Sequence, residues 1–179
     1  MMSSPDAAST DRPLTLVLVG PMAAGKTSIG RRAAKLLGVP FIDTDKRIVA
    51  EHGPIPEIFA SLGEAHFREL ERAAVAEAIT AGGVISLGGG AVTDAGTRAL
   101  LRAQPVAYLT VTPAAVADRI RGAGRPLLAG EEDPVQRWLT IFEQRRGWYE
   151  EVADLTVDTS RRPMRTLAEE ISAWRKEQQ

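Results

Sequence analysis

The residues with the clearest chemical meaning lie in the stretch "GPMAAGKTS", positions 20–28. Gly20, Gly25, Lys26 and Thr27 match G-x-x-x-x-G-K-[ST], a tight loop that aims backbone N–H groups at phosphate oxygens. The apolar run "LTLVLV" precedes the loop and a helical pattern follows it, so the loop should lie at a helix N-terminus, where the dipole favours negative charge. Lys26 would then contact the β- and γ-phosphates of a nucleoside triphosphate, and the Thr27 hydroxyl would hold Mg²⁺.

A phosphate loop by itself leaves kinases, switch GTPases and motor ATPases open. The chain contains no Asn, so the guanine-reading motif N-K-x-D is absent. Its 179 residues leave no room for the second module of a motor. These two observations favour a kinase that phosphorylates a small acceptor.

Two carboxylates in "FIDTDK" are candidates for the acceptor side of the site. Asp43 and Asp45 come at the C-terminal end of an apolar run, where open α/β sheets bind ligands. One carboxylate could order the hydration shell of Mg²⁺, and the other could accept the proton of an attacking hydroxyl. The alternative is that Asp43 or Thr44 only caps the following helix.

Two further features differ in how strongly they suggest a site. Arg68 and Glu71, three residues apart in a helical pattern, are by themselves typical of an ordinary surface ion pair of small value. The glycines Gly88, Gly89 and Gly90 are different, because three glycines after a strand cost backbone entropy and suggest that a ligand or a neighbouring backbone comes close. A loose turn is the alternative.

The elements that must position these residues follow from the apolar pattern. Five β-rich runs, separated by helical patterns, lie at 14–19, 40–43, 83–88, 105–111 and 153–158. The first and fourth runs are almost continuously apolar, as expected for parallel strands covered by helices on both faces. The Gly-, Pro- and charge-rich residues 121–134 are interpreted as a lid loop. We expect a disordered tail over 1–12 and a single domain over 13–179.

The overall composition argues against several classes of partner. Lys and Arg number 22 against 23 Asp and Glu, for a net charge of -1. Nothing in this balance favours a nucleic acid or an anionic membrane as partner, and no apolar run has the roughly 18 residues that a bilayer span needs. The chain has no Cys, which fits a reducing compartment. We expect a soluble, cytoplasmic protein, with a monomer as the default state.

The motifs, taken in order, resemble those of the shikimate kinase family over residues 14–162. They are "GPMAAGKTS", "FIDTD", "GEAHFRELE", "SLGGGAV", "GRPLL", "RRGWYEEVAD" and "VDTSRR". The resemblance implies the P-loop nucleoside-monophosphate-kinase-like α/β fold, with three layers and a five-stranded parallel sheet in the order 2-3-1-4-5. It also implies the reaction, which is MgATP-dependent phosphorylation of the 3-hydroxyl of shikimate in aromatic amino acid biosynthesis.

The resemblance further implies roles for single residues around the nucleotide. The loop residues that would bind ATP are Gly20, Ala23, Ala24, Gly25, Lys26, Thr27 and Ser28. Thr27 would bind Mg²⁺ directly, and Asp43 would bind it through water. Arg119 and Arg162 would lie beside the adenine, and Arg125 would be the lid arginine that reaches the phosphates.

On the acceptor side, the resemblance implies that shikimate contacts Asp45 through its hydroxyls and Arg68 and Arg145 through its carboxylate. Gly88, Gly89 and Gly90 would form one wall of the pocket. Arg145 is chosen over Arg146 because the family's arginine precedes a tyrosine by four residues, here Tyr149. The implied catalytic residues are Lys26, Asp45 and Arg125.

The phosphate loop departs from the family pattern at one position. Family loops usually have glycine where this chain has Ala23, and a Cβ there would cost about 1 to 2 kcal/mol if the position needs positive φ. One alternative to shikimate kinase is a kinase for another small hydroxylated acceptor such as gluconate. A second is a non-catalytic ATP-binding paralogue, against which the presence of Lys26, Asp45 and Arg125 argues.

Overall fold

The computed structural model describes residues 13–123 and 133–178. Its strands are β1 (Thr15–Val19), β2 (Phe41–Asp43), β3 (Gly83–Ser86), β4 (Val106–Thr110) and β5 (Leu155–Asp158). Its helices are α1 (Lys26–Leu37), α2 (Thr44–His52), α3 (Ile55–Ala81), α4 (Ala95–Leu101), α5 (Pro113–Ala123), α6 (Pro134–Val152) and α7 (Met164–Glu177). A short 3₁₀ helix, Ala91–Thr93, precedes α4.

The strands form one parallel sheet in the order β2-β3-β1-β4-β5. In the register of the central strand, Thr15 lies opposite Gly83 of β3 and Val17 lies opposite Val106 of β4. This order confirms the predicted fold. Because the strands are parallel, the loops that follow β1, β2 and β3 all leave the same edge of the sheet, and that edge carries the candidate site.

The central strand is buried on both faces, as its continuous apolar sequence predicts. All five residues of β1 are buried. Leu16 and Leu18 belong to a hydrophobic cluster that includes residues of α1 and α7. Val17 and Val19 belong to a second cluster that includes residues of α3 and α6. Successive side chains of β1 thus point to opposite faces of the sheet, and a separate layer of helices covers each face.

The helix α3 changes direction within its length. It starts at Ile55, and Gly63, with φ 81°, kinks it. Glycine tolerates this left-handed backbone, so the segment carrying the acceptor-side residues leaves the kink in a new direction. Although α3 has 27 residues, no helix in the described parts of the chain is long and apolar enough to cross a membrane.

Helical residues occupy both ends of the segment predicted to be a lid, residues 121–134. Residues 121–123 complete α5, and Pro134 is the first residue of α6, which the side chain of Asp133 caps at the N–H of Val135. The rest of the predicted lid, including Arg125, lies outside the described residues. So does the predicted tail over 1–12.

Candidate active site

The phosphate loop joins β1 to α1 in the conformation that the motif predicts. Gly20 and Gly25 have φ of 147° and 88°, and Gly25 is the N-cap of α1. A Cβ on Gly20 would collide with the carbonyl oxygen of Leu109. These two positions require glycine, because an L side chain would be strained in either backbone conformation.

Donors from several elements bind five consecutive carbonyl oxygens of this loop. The Lys26 ammonium donates to Gly20 O at 2.7 Å and to Pro21 O at 2.9 Å. The remaining bonds are Trp138 Nε1 to Met22 O at 2.9 Å, Arg119 Nη1 to Ala23 O at 2.6 Å and Thr159 Oγ1 to Ala24 O at 2.9 Å. The carbonyls are thus held by the protein, and in a trans peptide unit the N–H group points away from its carbonyl. The peptide unit of Gly20 has no N–H group because Pro21 follows, and the Ala24 N–H donates to Pro21 O at 3.3 Å.

Ala23 adopts the backbone that the sequence analysis identified as costly. Its φ is 65°, and it is the only non-glycine residue with positive φ in the described ranges. A Cβ in this region costs about 1 to 2 kcal/mol. The loop therefore carries local strain, which its surroundings must offset.

The residues expected to hold Mg²⁺ lie beside each other. Thr27 Oγ1, at the start of α1, is 3.4 Å from Asp43 Oδ2, at the end of β2. The other oxygen of Asp43 accepts a hydrogen bond from Lys46 N at 3.2 Å, so Asp43 also caps α2. The two interpretations of Asp43 are compatible, because one carboxylate oxygen serves each. A hydroxyl and one carboxylate fit Mg²⁺, which keeps several waters and binds substrate phosphates.

Asp45 lies against the glycine segment that follows β3. A Cβ on Gly88 would be 2.5 Å from Asp45 Oδ1, so a side chain at this position would displace the Asp45 carboxylate. Burial raises the pKa of Asp45, and the neighbouring Asp43 raises it further, while Lys26 and Arg68 lower it. The close approach favours a shaped pocket wall over a loose turn.

The pair formed by Arg68 and Glu71 differs from the surface pair that the sequence analysis expected. Glu71 is only 1% exposed, and its Oε2 accepts from Arg68 Nη1 at 2.5 Å. Burial raises the pKa of Glu71 to about 7, although Arg68 opposes the rise. The surface interpretation is wrong because Glu71 follows Phe67 by four residues and faces inward with it. That i,i+4 spacing on an apolar stripe was the signal that could have identified Glu71.

Arg145 and Arg68 lie around the same glycine segment. A Cβ on Gly89 would be 3.8 Å from Arg145 Nη1, and one on Gly90 would be 2.6 Å from Arg68 Nη2. Tyr149, one turn after Arg145 on α6, donates to Gly89 O at 2.5 Å and fixes the segment.

The neighbouring Arg146 has a different environment. It is solvent-exposed and donates from Nε to Glu150 at 2.9 Å. The geometry therefore supports Arg145 as the acceptor-side residue.

The two residues expected beside the adenine, Arg119 and Arg162, have different surroundings in the structure. Arg119 donates to Ala23 O of the phosphate loop and to both oxygens of Thr159, the residue after β5. Arg162 is exposed and pairs with Glu170 of α7. Sequence reasoning missed Thr159 and Trp138, both buried donors to the phosphate loop. Thr159 belongs to the motif "VDTSRR", but no local pattern indicates that either residue binds the phosphate loop, because each is more than 100 residues from it.

Comparison with protein-family models matches residues 22–176 to shikimate kinase. A shikimate kinase of Salinispora tropica is 51% identical over 160 residues, which cover 88% of this chain and 95% of the relative. A shikimate kinase of Corynebacterium efficiens is 45% identical over 161 residues, covering 88% and 94% of the two chains. The chain belongs to the shikimate kinase family. It is therefore an ATP-dependent phosphotransferase.

Solved structures agree with this membership. The structure of shikimate kinase from Acinetobacter baumannii in complex with shikimate has a TM-score of 0.83 and 36% identity, covering 94% of this chain and 96% of that one. A gluconokinase from Sinorhizobium meliloti 1021 has a TM-score of 0.57 at 21% identity, covering 93% and 94%. The second likeness concerns the fold alone.

Proposed function

We propose that this chain transfers the γ-phosphoryl group of ATP to the 3-hydroxyl of shikimate. The position of the glycine segment after β3 carries the proposal. A Cβ on Gly89 would be 3.6 Å from both Gly20 O and Met22 N of the phosphate loop, while Gly88 and Gly90 contact the acceptor-side residues. Donor and acceptor therefore share one space, which phosphoryl transfer requires.

The two arginines around the segment suit a carboxylated acceptor. A guanidinium binds a carboxylate through two parallel N–H donors, which orients the ligand as well as attracting it. Arg68 and Arg145 come from different helices, α3 and α6, so the carboxylate of shikimate would lie between them. Its hydroxyls would then point towards Asp45.

Within this arrangement, Asp45 accepts the proton of the attacking hydroxyl. The new bond forms between that oxygen and the γ-phosphorus while the bond to the departing ADP oxygen breaks, and Lys26 stays close to the phosphates. The raised pKa of Asp45 makes it a better proton acceptor than an ordinary aspartate. The chain supplies positioning and charge, with no covalent intermediate.

Thr27 and Asp43 are the residues that would hold Mg²⁺, with Asp43 acting through water. The ion would neutralise negative charge on the phosphates of ATP. The residue set fits it, because both groups offer oxygen and leave positions for water and phosphate.

The proposed reaction needs neither a nucleic acid nor a membrane. One copy of the chain supplies every residue named above, so a monomer suffices. Its substrate ATP is available in the cytoplasm, where we propose that the protein acts.

A coupled assay of ADP release tests the proposal. We expect turnover with shikimate and none above background with gluconate, nucleoside monophosphates or no acceptor. The phosphorylated position is then read from the NMR spectrum of the product. Turnover with gluconate alone, or none with any acceptor, would contradict the proposed function.

A further inference from the structure

Thr159 is a buried residue of the phosphate site to which the motifs give no role. It directly follows β5 and is fully buried. Its backbone N–H donates to Thr110 O at 2.9 Å, which extends the pairing of β4 and β5 by one bond. The residue is therefore fixed by the sheet, which makes it a rigid support for whatever its hydroxyl contacts.

The Thr159 hydroxyl lies between the sheet and the phosphate loop. Its oxygen is 2.9 Å from Ala24 O and 3.0 Å from Thr110 O, and it donates its one proton to these carbonyls. The same oxygen accepts from Arg119 Nη1 at 3.2 Å. The hydroxyl thus shares its proton between two carbonyls and uses one of its two lone pairs to accept from Arg119.

Arg119 connects this point to the strained residue of the loop. Its Nη1 also donates to Ala23 O at 2.6 Å, and its Nη2 donates to the carbonyl oxygen of Thr159. Thr159 thus holds the guanidinium at two of its atoms, and the guanidinium holds Ala23. A residue with a Cβ keeps positive φ only where its surroundings over-determine it.

We propose that Thr159 is a positioning residue, which acts through Arg119 and Ala24 to hold the phosphate loop in its strained, ATP-binding conformation. The carbonyl of Ala24 is held towards the protein, so the N–H group of Gly25, in the same peptide unit, points into the cradle. The N–H group of Ala24, in the peptide unit of the Ala23 carbonyl, donates to Pro21 O at 3.3 Å and closes the turn of the loop. Without the Thr159 hydroxyl, Ala23 can relax to negative φ, which opens this turn and redirects the Gly25 N–H group. This inference rests on the proposed function only in that the loop binds the phosphates of ATP.

The test compares ADP and adenosine binding by calorimetry, without shikimate. Thr159→Val keeps the side-chain shape and removes the hydroxyl, and we expect ADP binding to weaken about tenfold while adenosine binding is unchanged. Thr159→Ser restores the hydroxyl and should bind ADP like the wild type. Thr97→Val makes the same change at a fully buried threonine on α4 and should leave ADP binding unchanged.

A second substitution separates positioning from a general loss of structure. Ala23→Gly removes the strain, because glycine adopts positive φ without cost. Adding it to Thr159→Val should restore most of the lost ADP affinity. Should Thr159→Val not fold, Arg119→Lys replaces it, since lysine keeps the charge and loses the fork. Ala23→Gly should then restore ADP affinity in that background.

Three results would overturn the proposal. They are ADP binding by Thr159→Val equal to the wild type, an equal loss in Thr97→Val, and no recovery on adding Ala23→Gly. None of them depends on the acceptor. A wild type that binds ADP but does not phosphorylate shikimate would contradict the proposed function and leave this inference standing.

Discussion

Replacing Glu71 by Gln tests the electrostatics of the acceptor pocket. Glu71 is 1% exposed and bound to Arg68, with Asp45 and Arg145 near enough to influence it. Burial raises its pKa from 4.5 to about 7, a rise of about 2.5. Gln has nearly the same shape and does not titrate, so the substitution removes the ionisation and little of the packing.

The magnitude follows from the linkage between proton binding and folding. Each unit of pKa is worth about 1.4 kcal/mol, so the rise corresponds to about 3 kcal/mol. A carboxyl group whose pKa is raised by folding contributes its full stabilisation at pH values below its pKa in the unfolded protein. This stabilisation is lost as the pH rises through the pKa of the group in the folded protein. The free energy of unfolding of the wild type should therefore fall, relative to Glu71→Gln, between about pH 5 and about pH 8.

Urea unfolding of both proteins at several pH values provides the measurement. We expect the free energy of unfolding of the wild type minus that of Glu71→Gln to decrease by about 2 to 3 kcal/mol between about pH 5 and about pH 8. Glu64→Gln is the matched control, because Glu64 also pairs with Arg68 but is 66% exposed. It should show no such trend. A difference that stays constant with pH would refute the assignment of a raised pKa to Glu71.

Three further predictions concern the reaction. Lys26→Met should keep its fold and lose about a hundredfold in turnover, since a transition-state contact is removed. More than about a tenth of wild-type turnover would argue against its role. Gly88→Ala places a Cβ 2.5 Å from Asp45 Oδ1, so turnover should fall while calorimetry shows unchanged ADP binding. Unaltered turnover would show that the close contact between Gly88 and Asp45 is unimportant for catalysis. Arg145→Lys should weaken shikimate binding, measured by calorimetry against an analogue without the carboxylate. Discrimination equal to the wild type would contradict carboxylate recognition.

The sequence by itself determined the parts of the protein that depend on neighbours along the chain. The phosphate loop needs glycine where the backbone turns tightly, so the local motif is enough to identify Gly20 and Gly25. The continuous apolar run of β1 predicts a strand covered on both faces, which the two core clusters confirm. The strand order and the acceptor were accessible through the family resemblance, which the comparisons confirm.

Tertiary structure alone decided which polar residues are buried and what they contact. Arg68 and Glu71 have the spacing of a surface pair, and only the packing of α3 shows that Glu71 is shielded from water. Thr159 is 135 residues from the carbonyl of Ala24 that it binds. Such a contact depends on the path of the whole chain through the sheet, and no local pattern encodes that path. Local sequence thus specified the phosphate cradle, and the fold supplied the distant donors that hold it in shape.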